Sequence, residues 1–253
     1  DIIGTVYIIL DITRERELSR LKDSFISTAA HELLTPLTSI VGYSELLMDA
    51  ENEGSELAEH RSDFLQEIID KGLSLSRIVE ELLDVSRIQS GQPIPLQKQL
   101  TNVNVLFEKI LSQYRQFSTK HEFSLDTNGD VERPLSIDSG KIIQVLENLL
   151  SNAVKYSPSG GNVRVLLSAE TDGYKVSVSD EGLGMSNEQV EKIFDTFYRA
   201  DNADPSVRGL GLGMCIAKQI IENHGGEILV ESRQGEGTQV YFTLPEQTAV
   251  SVG

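Results

Sequence analysis

The sequence predicts an α+β protein in two parts, a helical hairpin followed by a mixed α/β domain. Three observations predict it. Apolar residues recur at helical spacing through two long stretches, residues 14–49 and 61–88. After the break Ser90-Gly91-Gln92-Pro93-Ile94-Pro95-Leu96, that period gives way to short alternating runs separated by shorter helical ones. The 253 residues, 39% of them hydrophobic, suffice for two ordinary domains with packed cores. The same composition excludes other classes. A net charge of −17 argues against nucleic acid or an anionic membrane as the main partner. It does not forbid a phosphate chain, which a few local donors and a metal ion can hold. No apolar run reaches membrane-spanning length and no signal peptide is visible. Cys215 is the only cysteine, so no intrachain disulfide or cysteine metal cluster forms, which suits a reducing, cytoplasmic setting.

Residues 2–10, IIGTVYIIL, read as a β-strand, apolar and β-branched. The strand, Asp11-Ile12-Thr13 and the charged helical run after them resemble the exit of a PAS sensor domain. Residues 1–12 are therefore expected to end an upstream domain, and a chain opening at Asp1 without an initiator methionine is expected to be part of a longer protein. In the first helix Leu18, Leu21, Phe25 and Thr28 space as 3-4-3; in the second, Leu65, Ile68, Gly72, Leu75, Val79 and Leu82 continue the pattern. The acidic stretch 51–59 with Gly54 reads as the turn between them. One hairpin cannot cover both of its apolar stripes, so a second copy is expected, giving a four-helix bundle and a homodimer. Pro36 removes a helical hydrogen bond, frees the Glu32 carbonyl and is expected to kink the rod.

The segment FISTAAHELLTPLTSI, residues 25–40, carries the chemistry of this half. At about 100° per residue, Leu18, Phe25, Ala29, Leu33, Ile40 and Leu47 group on one side and His31 points to roughly the other. An imidazole facing water on a helix packed by its other face is open to a second molecule.

Residues 93–247 are expected to form the second domain, with 248–253 a tail. Residues 103–118 read as helix, 122–126 and 132–137 as short strands, and 139–156 as a helix ended by Ser157-Pro158-Ser159-Gly160-Gly161. Residues 162–169 and 174–179 alternate around Asp172-Gly173 and predict a hairpin. A glycine loop, a short helix at 187–194, an aperiodic polar stretch at 199–209, a helix at 211–224 and strands near 227–232 and 239–244 complete the chain.

Four clusters in this half need a joint explanation. Asn148, Asn152 and Lys155 lie four and three apart, so they share a helix face; two carboxamides and an ammonium suit a metal–phosphate assembly. DEGLGM, residues 180–185, follows a strand; its glycines let backbone approach a planar ligand, and Asp180 can accept from an exocyclic amine such as that of adenine. FDTFYRA, residues 194–200, is the third. GLGLGM, residues 209–214, opens a helix and can turn backbone N–H groups toward phosphates. Arg199 and Arg208 bracket the aperiodic stretch and could reach phosphates from a lid.

HELLTP, the asparagine helix, DEGLGM, FDTFYR and GLGLGM, in this order and at these distances, resemble a two-component sensor histidine kinase. The resemblance covers about residues 13–245. Residues 13–92 are similar to the dimerisation and histidine-phosphotransfer domain. Residues 93–247 are similar to the ATP-binding catalytic domain that DNA gyrase, MutL and heat-shock chaperones share. The resemblance implies a mixed sheet sandwiched against helices, with ATP and Mg²⁺ bound between helices and lid. It implies that His31 is the phosphate acceptor and that Glu32 bonds one ring nitrogen. It implies that Asn152 binds Mg²⁺, with Asn148 beside it on metal or phosphates. Lys155 and Tyr156 would line the phosphate and nucleoside side, Asp180 would read adenine, and Gly182, Gly184, Gly209, Gly211 and Gly213 would shape pocket and lid hinges. Thr35 would hold the water that hydrolyses a partner's phospho-aspartate. The face running through Thr35, Thr38, Ser39, Gly42, Tyr43, Glu45 and Leu46 would dock the receiver domain of a response regulator.

The sequence departs from the family pattern in two places. Leu34 stands where many members carry Arg. Met214 and Cys215 stand where Leu and Ala are commoner, and Cys215 reads as a small buried residue. His60, His121 and His224 fall outside the motifs and read as structural or merely exposed. A nucleotide-binding scaffold without phosphoryl transfer, and an ATP-gated clamp of the gyrase type, are the competing readings. Whether transfer runs within or between protomers is left open by the sequence.

Overall fold

Helix α1 (Thr13–Asn52) and helix α2 (Arg61–Gln89) form the hairpin that their apolar period predicts. The structure, a computed structural model, describes residues 12–52, 60–198 and 210–246. The expected PAS strand, most of the interhelix turn, the stretch 199–209 and the tail lie outside these. The chain divides into two compact units, Asp1–Ile78 and Val79–Gly253, and α2 runs from the first into the second.

In the first unit, Ala29 and Pro36 are buried on α1, and Phe25, Leu33, Ile40 and Leu47 are half-buried, the face that the period picks out. α1 continues through Pro36 as one helix. Tyr43 stacks on Phe64 of α2 with ring centroids 5.7 Å apart. A second apolar row is exposed: Leu34, Leu37, Val41 and Met48 on α1, and Leu65, Ile69 and Leu73 on α2, with Met48 at 69% and Leu73 at 65%. Leu65, expected in the seam, belongs to that exposed row, because a single hairpin covers each helix on one side only.

In the second unit a five-stranded sheet runs β2-β4-β5-β7-β6. The strands are β2 (His121–Asn128), β4 (Gly161–Glu170), β5 (Gly173–Asp180), β6 (Ile228–Arg233) and β7 (Gly237–Pro245). β2 and β4 are parallel and the other neighbours antiparallel. The parallel pair needs a crossover, and α4 (Ser139–Lys155) supplies it. The expected hairpin joins β4 to β5 through Thr171 and Asp172, with Gly173 at φ 140°. α3 (Val103–Phe117), α4 and α6 (Gly213–Asn223) fill the core together with one face of the sheet. From the helices come Phe107, Leu111, Ile142, Leu146, Leu150 and Ile220; from the sheet come Val165, Leu167, Val176, Phe242 and Leu244. This is the two-layer sandwich expected. Asn102 caps α3 and Asp138 caps α4, each side chain accepting from a backbone N–H 3.0 Å away. Short α5 (Asn187–Lys192) opens with a capping box between Ser186 and Gln189.

Two small elements differ from expectation. β1 (Gln99–Thr101), which pairs with β3 (Leu135–Ile137), has no sequence signal because three residues show no period. The strand expected from residue 132 begins only at Leu135, after Pro134, which has no N–H to give a ladder.

The last turns of α2 fold with the second unit. Asp84, 6% exposed, takes an ion pair from Lys141 of α4, whose Nζ lies 2.7 Å from Oδ2. Below it, Asn223 Nδ2 donates to the Ile94 carbonyl at 3.0 Å. Removing only the cation strands a buried carboxylate. Lys141→Met is therefore expected to lower stability by about 3 kcal/mol, read as a shift in the urea midpoint. The double variant Asp84→Leu/Lys141→Met is expected to recover most of that loss.

Candidate functional site

His31 is exposed on α1, between buried Ala29 and buried Pro36. Half-buried Glu32 makes no side-chain hydrogen bond to it, since adjacent helical residues point to different faces. Around Pro36 the hydroxyls turn back on the helix. Thr35 Oγ1 donates to the His31 carbonyl at 3.0 Å, Thr38 Oγ1 to that of Leu34 at 2.9 Å, and Ser39 Oγ to that of Thr35 at 3.1 Å. Thr35, Thr38 and Leu46 are exposed; Ser39 and Gly42 are half-buried. A methyl group added at Gly42 would meet nothing within 4 Å, so this face is open there. Tyr43, expected on the same face, is half-buried and engaged with Phe64. Leu34, at the position that departs from the family pattern, is 58% exposed.

In the second unit β5 delivers Asp180 to its end, and the chain must turn at once. Asp180 Oδ1 accepts from the Gly182 N–H at 2.8 Å, and the Thr238 N–H of β7 also donates to this carboxylate. Burial pushes its pKa up, and the two backbone donors pull partly against that. Neighbouring Glu181 goes the other way. The backbone and side-chain N–H groups of Asn162, at 3.1 and 3.2 Å, hold its carboxyl below the usual range. Gly182 is required sterically: a Cβ there would overlap the Tyr156 carbonyl and stand 2.6 Å from Ser157 Oγ and 2.7 Å from Asp180 Oδ1. Gly184 lies at φ 63°, where a Cβ would strike the Arg233 carbonyl. Leu183 fastens the loop at both ends, its N–H to the Tyr156 carbonyl at 2.9 Å and its carbonyl to the Gly235 N–H at 2.7 Å.

α4 presents the asparagine face. Leu149, Leu150 and Ala153 are buried, while Asn148 and Asn152 are half-buried and Lys155 is exposed. Asn148 reaches the start of α6: its Nδ2 donates to Met214 Sδ at 3.7 Å, and a Cβ on Gly213 would overlap its Oδ1. Tyr156 ends α4, its N–H donating to the Asn152 carbonyl at 2.9 Å. α6 begins after Gly211, at φ 69°, and no side chain caps it, so its first N–H groups are available to an anion.

The structure thus brings Asp180, Gly182 and Tyr156 together, and Asn148 with Gly213. Arg199, Arg208 and Gly209 lie outside the described residues. The donors present fit a purine nucleotide with a hard dication. Two glycines stand where a methyl group cannot, a carboxylate accepts, carboxamide oxygens can ligate, and an uncapped helix opens beside them. Among the described residues no cluster of three His, Cys, Asp or Glu could hold a metal ion.

Sequence reasoning missed several supports. The FDTFYR segment is tied to α6, with Thr196 bonded to Cys215 and Lys218 Nζ 5.4 Å over the Phe194 ring; Phe197 lies at φ 70°. Buried Cys215 donates to the Leu212 carbonyl, and burial pushes its thiol up to about 11, so it is inert packing as expected. His224 is structural: its Nδ1 donates to Ile220 and its Nε2 accepts from the Asp138 N–H, and burial lowers its pKa. His121 holds Ser157 through a 2.9 Å bond from Nε2 to the carbonyl. No residue spacing announces these contacts, because each joins distant segments.

Residues 21–91 match the family described as His Kinase A (phospho-acceptor) domain. Residues 137–248 match that described as Histidine kinase-, DNA gyrase B-, and HSP90-like ATPase. The chain is 34% identical over 245 residues to sensor histidine kinase WalK of Bacillus subtilis (strain 168), covering 96% of this chain and 39% of WalK. It is 33% identical over 245 residues to sensor protein SrrB of Staphylococcus aureus (strain N315), covering 96% and 41%. It thus spans about two fifths of the length of the curated relatives it matches. The solved structure of full-length ShkA in complex with AMPPNP shares the fold at a TM-score of 0.61 and 27% identity, over 90% of this chain and 46% of that one. No helix among the described residues is long and apolar enough to cross a membrane. A phospho-acceptor hairpin and an ATPase sandwich follow one another in a single chain, aligned over nearly all of it with sensor kinases, and on that ground the chain belongs to the two-component sensor histidine kinases.

Proposed function

We propose that this chain is the kinase core of its protein, phosphorylating His31 from Mg-ATP and passing the phosphoryl group to an aspartate of a response-regulator receiver domain. The observation that carries the reading is the pairing, in one chain, of a water-facing imidazole with a glycine-cradled carboxylate beside an asparagine face. ShkA, similar in fold, is solved with AMPPNP. Asp180 would accept from the adenine amine. Asn152 and Asn148 would offer amide oxygens to magnesium, and Lys155, the α6 N-terminus and the lid residues Arg199 and Arg208 would face the phosphates. Tyr156 would flank the nucleoside. Bound magnesium supplies neutralisation of phosphate charge. An unprotonated ring nitrogen of His31 attacks the terminal phosphorus. The N–P bond forms as the bond to the leaving ADP oxygen breaks, and the proton on the other ring nitrogen passes to Glu32 once the ring turns toward it. A receiver aspartate oxygen then attacks phosphorus and the N–P bond breaks.

Residues 13–92 would serve dimerisation and phosphotransfer and 93–247 catalysis, in a cytoplasmic setting, with residues 1–12 the end of a PAS-like domain. The exposed rows on α1 and α2 support a homodimeric four-helix bundle, since contiguous apolar helix faces left in water are costly. The receiver domain would dock on Thr35, Thr38, Ser39, Gly42 and Leu46, with Tyr43 at the rim. Thr35 donates to the His31 carbonyl yet keeps two lone pairs. It can therefore still accept from the water that hydrolyses a receiver's phospho-aspartate.

Incubated with γ-labelled ATP and Mg²⁺, the chain is expected to acquire acid-labile, base-stable label, and His31→Ala and Asn152→Ala to acquire none. Label-free wild type that still binds nucleotide would make it a scaffold. Thr35→Ala is expected to keep autophosphorylation within about twofold while phospho-regulator hydrolysis falls at least about tenfold; equal losses in both assays would refute its assigned role. Asp180→Asn is expected to weaken ATP binding by roughly 10- to 100-fold. Because the folded pKa of Asp180 lies above its unfolded value, its ionised form opposes folding near neutral pH, and the opposition fades as pH falls through the raised pKa. The apo Asp180→Asn variant is therefore expected to melt no lower than wild type. For wild type, calorimetric ATP affinity is expected to fall as acidification protonates Asp180.

A further inference from the structure

β2 is an edge strand of eight residues, paired on one side only, with β4. Bulges, lysines and prolines are what ordinarily blunt such an edge. β2 has none of them: its register with β4 is continuous from His121 to Asn128, and it contains no lysine or proline. Alternate residues of a strand turn their backbone N–H and C=O to opposite sides. In β2 the odd-numbered residues turn away from β4. The His121 N–H donates to Ser118 Oγ at 3.1 Å, and the Phe123 carbonyl accepts from Arg115 Nε at 2.9 Å. The next two in that row, Leu125 and Thr127, meet no such partner among the described residues. Beside them lies a groove of about 440 Å³ between α3 and β2. Val105, Lys109 and Ser112 of the helix and Leu125 and Thr127 of the strand line it. Val105 is 63% exposed. Glu108, also on the groove, is paired with Arg115, whereas Lys109 is exposed and has no ion pair among the described residues.

We propose that this groove docks an extended segment of a partner protein, which adds to β2 as a sixth strand. The segment sets an apolar side chain between Val105 and Leu125 and an acidic one against Lys109. A row of backbone groups at ladder spacing selects an extended chain rather than a helix, and the groove alongside takes that chain's alternate side chains. The unneutralised ammonium of Lys109 selects the charge. A second copy of this chain meets these demands less well. Edge pairing of β2 with β2 sets together two chains that each carry a net charge of −17. The β2 residues on the groove face, Phe123, Leu125 and Thr127, also include no acid for Lys109. Leu125 and Thr127 pair with Val165 and Leu167, and these with Val178 and Val176, so the row runs away from the sheet end that holds Asp180. The inference therefore stands independently of the nucleotide reading.

The test begins with selection, on the full chain, from a displayed library of linear peptides of about ten residues, long enough to pair along β2. Enriched sequences are expected to carry an acidic residue two positions from a valine or isoleucine. The enriched peptide, synthesised with a fluorescent tag, is then titrated and read by anisotropy. Thr127→Pro removes one outward N–H and leaves the β4 ladder intact, and is expected to weaken binding at least about tenfold. Lys109→Glu is expected to weaken it about fivefold, and a peptide with lysine in place of the acid to recover that loss. If Thr127→Pro fails to fold, wild type decides with two peptides methylated on alternate backbone nitrogens. One is expected to lose binding and the other to keep it, because only one set of N–H groups faces β2. The Leu125 and Thr127 amides are expected to exchange with solvent readily in the free chain and slowly with peptide bound. Failure to enrich any peptide, enrichment without an acidic residue, or two methylated peptides that bind alike would overturn the proposal. Protection of those two amides in the peptide-free chain would place a second copy on the edge and overturn it as well.

Discussion

A carboxylate drawn partly out of water needs donors, and at the end of β5 the backbone gives them. Asp180 takes the Gly182 N–H, and β7 gives it the Thr238 N–H. That approach is available because residue 182 has no side chain; the space a methyl would need is already bounded by Tyr156, Ser157 and Asp180 itself. The rest of the unit can be derived from this constraint. β5 must sit mid-sheet so that its end is fixed from both sides, by β4 and β7. α4 must end at Tyr156 so that its carbonyl can take the Leu183 N–H. His121, on edge strand β2, must hold the Ser157 carbonyl so that the turn after α4 stays in place. The same logic recurs at Gly213, where helix α6 begins hard against Asn148.

The hairpin obeys a different constraint. Its helices have more apolar surface than one hairpin can bury, so the seam and the exposed row are two faces of each helix. On α1 that commits the stretch from Phe25 to Leu47 to packing on one side and to an unburied apolar stripe on the next. The third side, where His31, Thr35, Thr38 and Gly42 lie, is left to polar and small residues. An imidazole placed there lies on neither of the two apolar faces.

What was legible in the sequence follows from the range over which each signal acts. Helix periods, the Asp172 turn, the glycine loops and the asparagine face are patterns within one segment, and each lies where spacing puts it. β1 had no such pattern, and its pairing with β3 depends on chain far away. The Asp84–Lys141 ion pair joins α2 to α4 and has no local mark. Ser157 read as part of a helix stop, Ser-Pro-Ser-Gly-Gly, and nothing in that composition says that its hydroxyl is buried against Gly182. Glu32 illustrates the converse. The family resemblance implied Glu32 as a partner for His31, but neighbours on a helix diverge, and no bond joins them in the structure.

The missing bond would matter to a phosphoryl acceptor. A histidine fixed by a permanent hydrogen bond to its neighbour would be held in one ring orientation. His31, without such a bond, is free to rotate about its side-chain torsions on an otherwise anchored stretch of helix, with Ala29 and Pro36 buried on the opposite face. Under the proposed function it would meet two different chemical partners in turn, first a nucleotide phosphate and then a receiver carboxylate. A ring bonded to Glu32 throughout would suit one of those encounters at the expense of the other. On that reading the exposed, unbonded ring and its fixed backbone belong together: the helix would supply position, and the approaching partner would supply orientation.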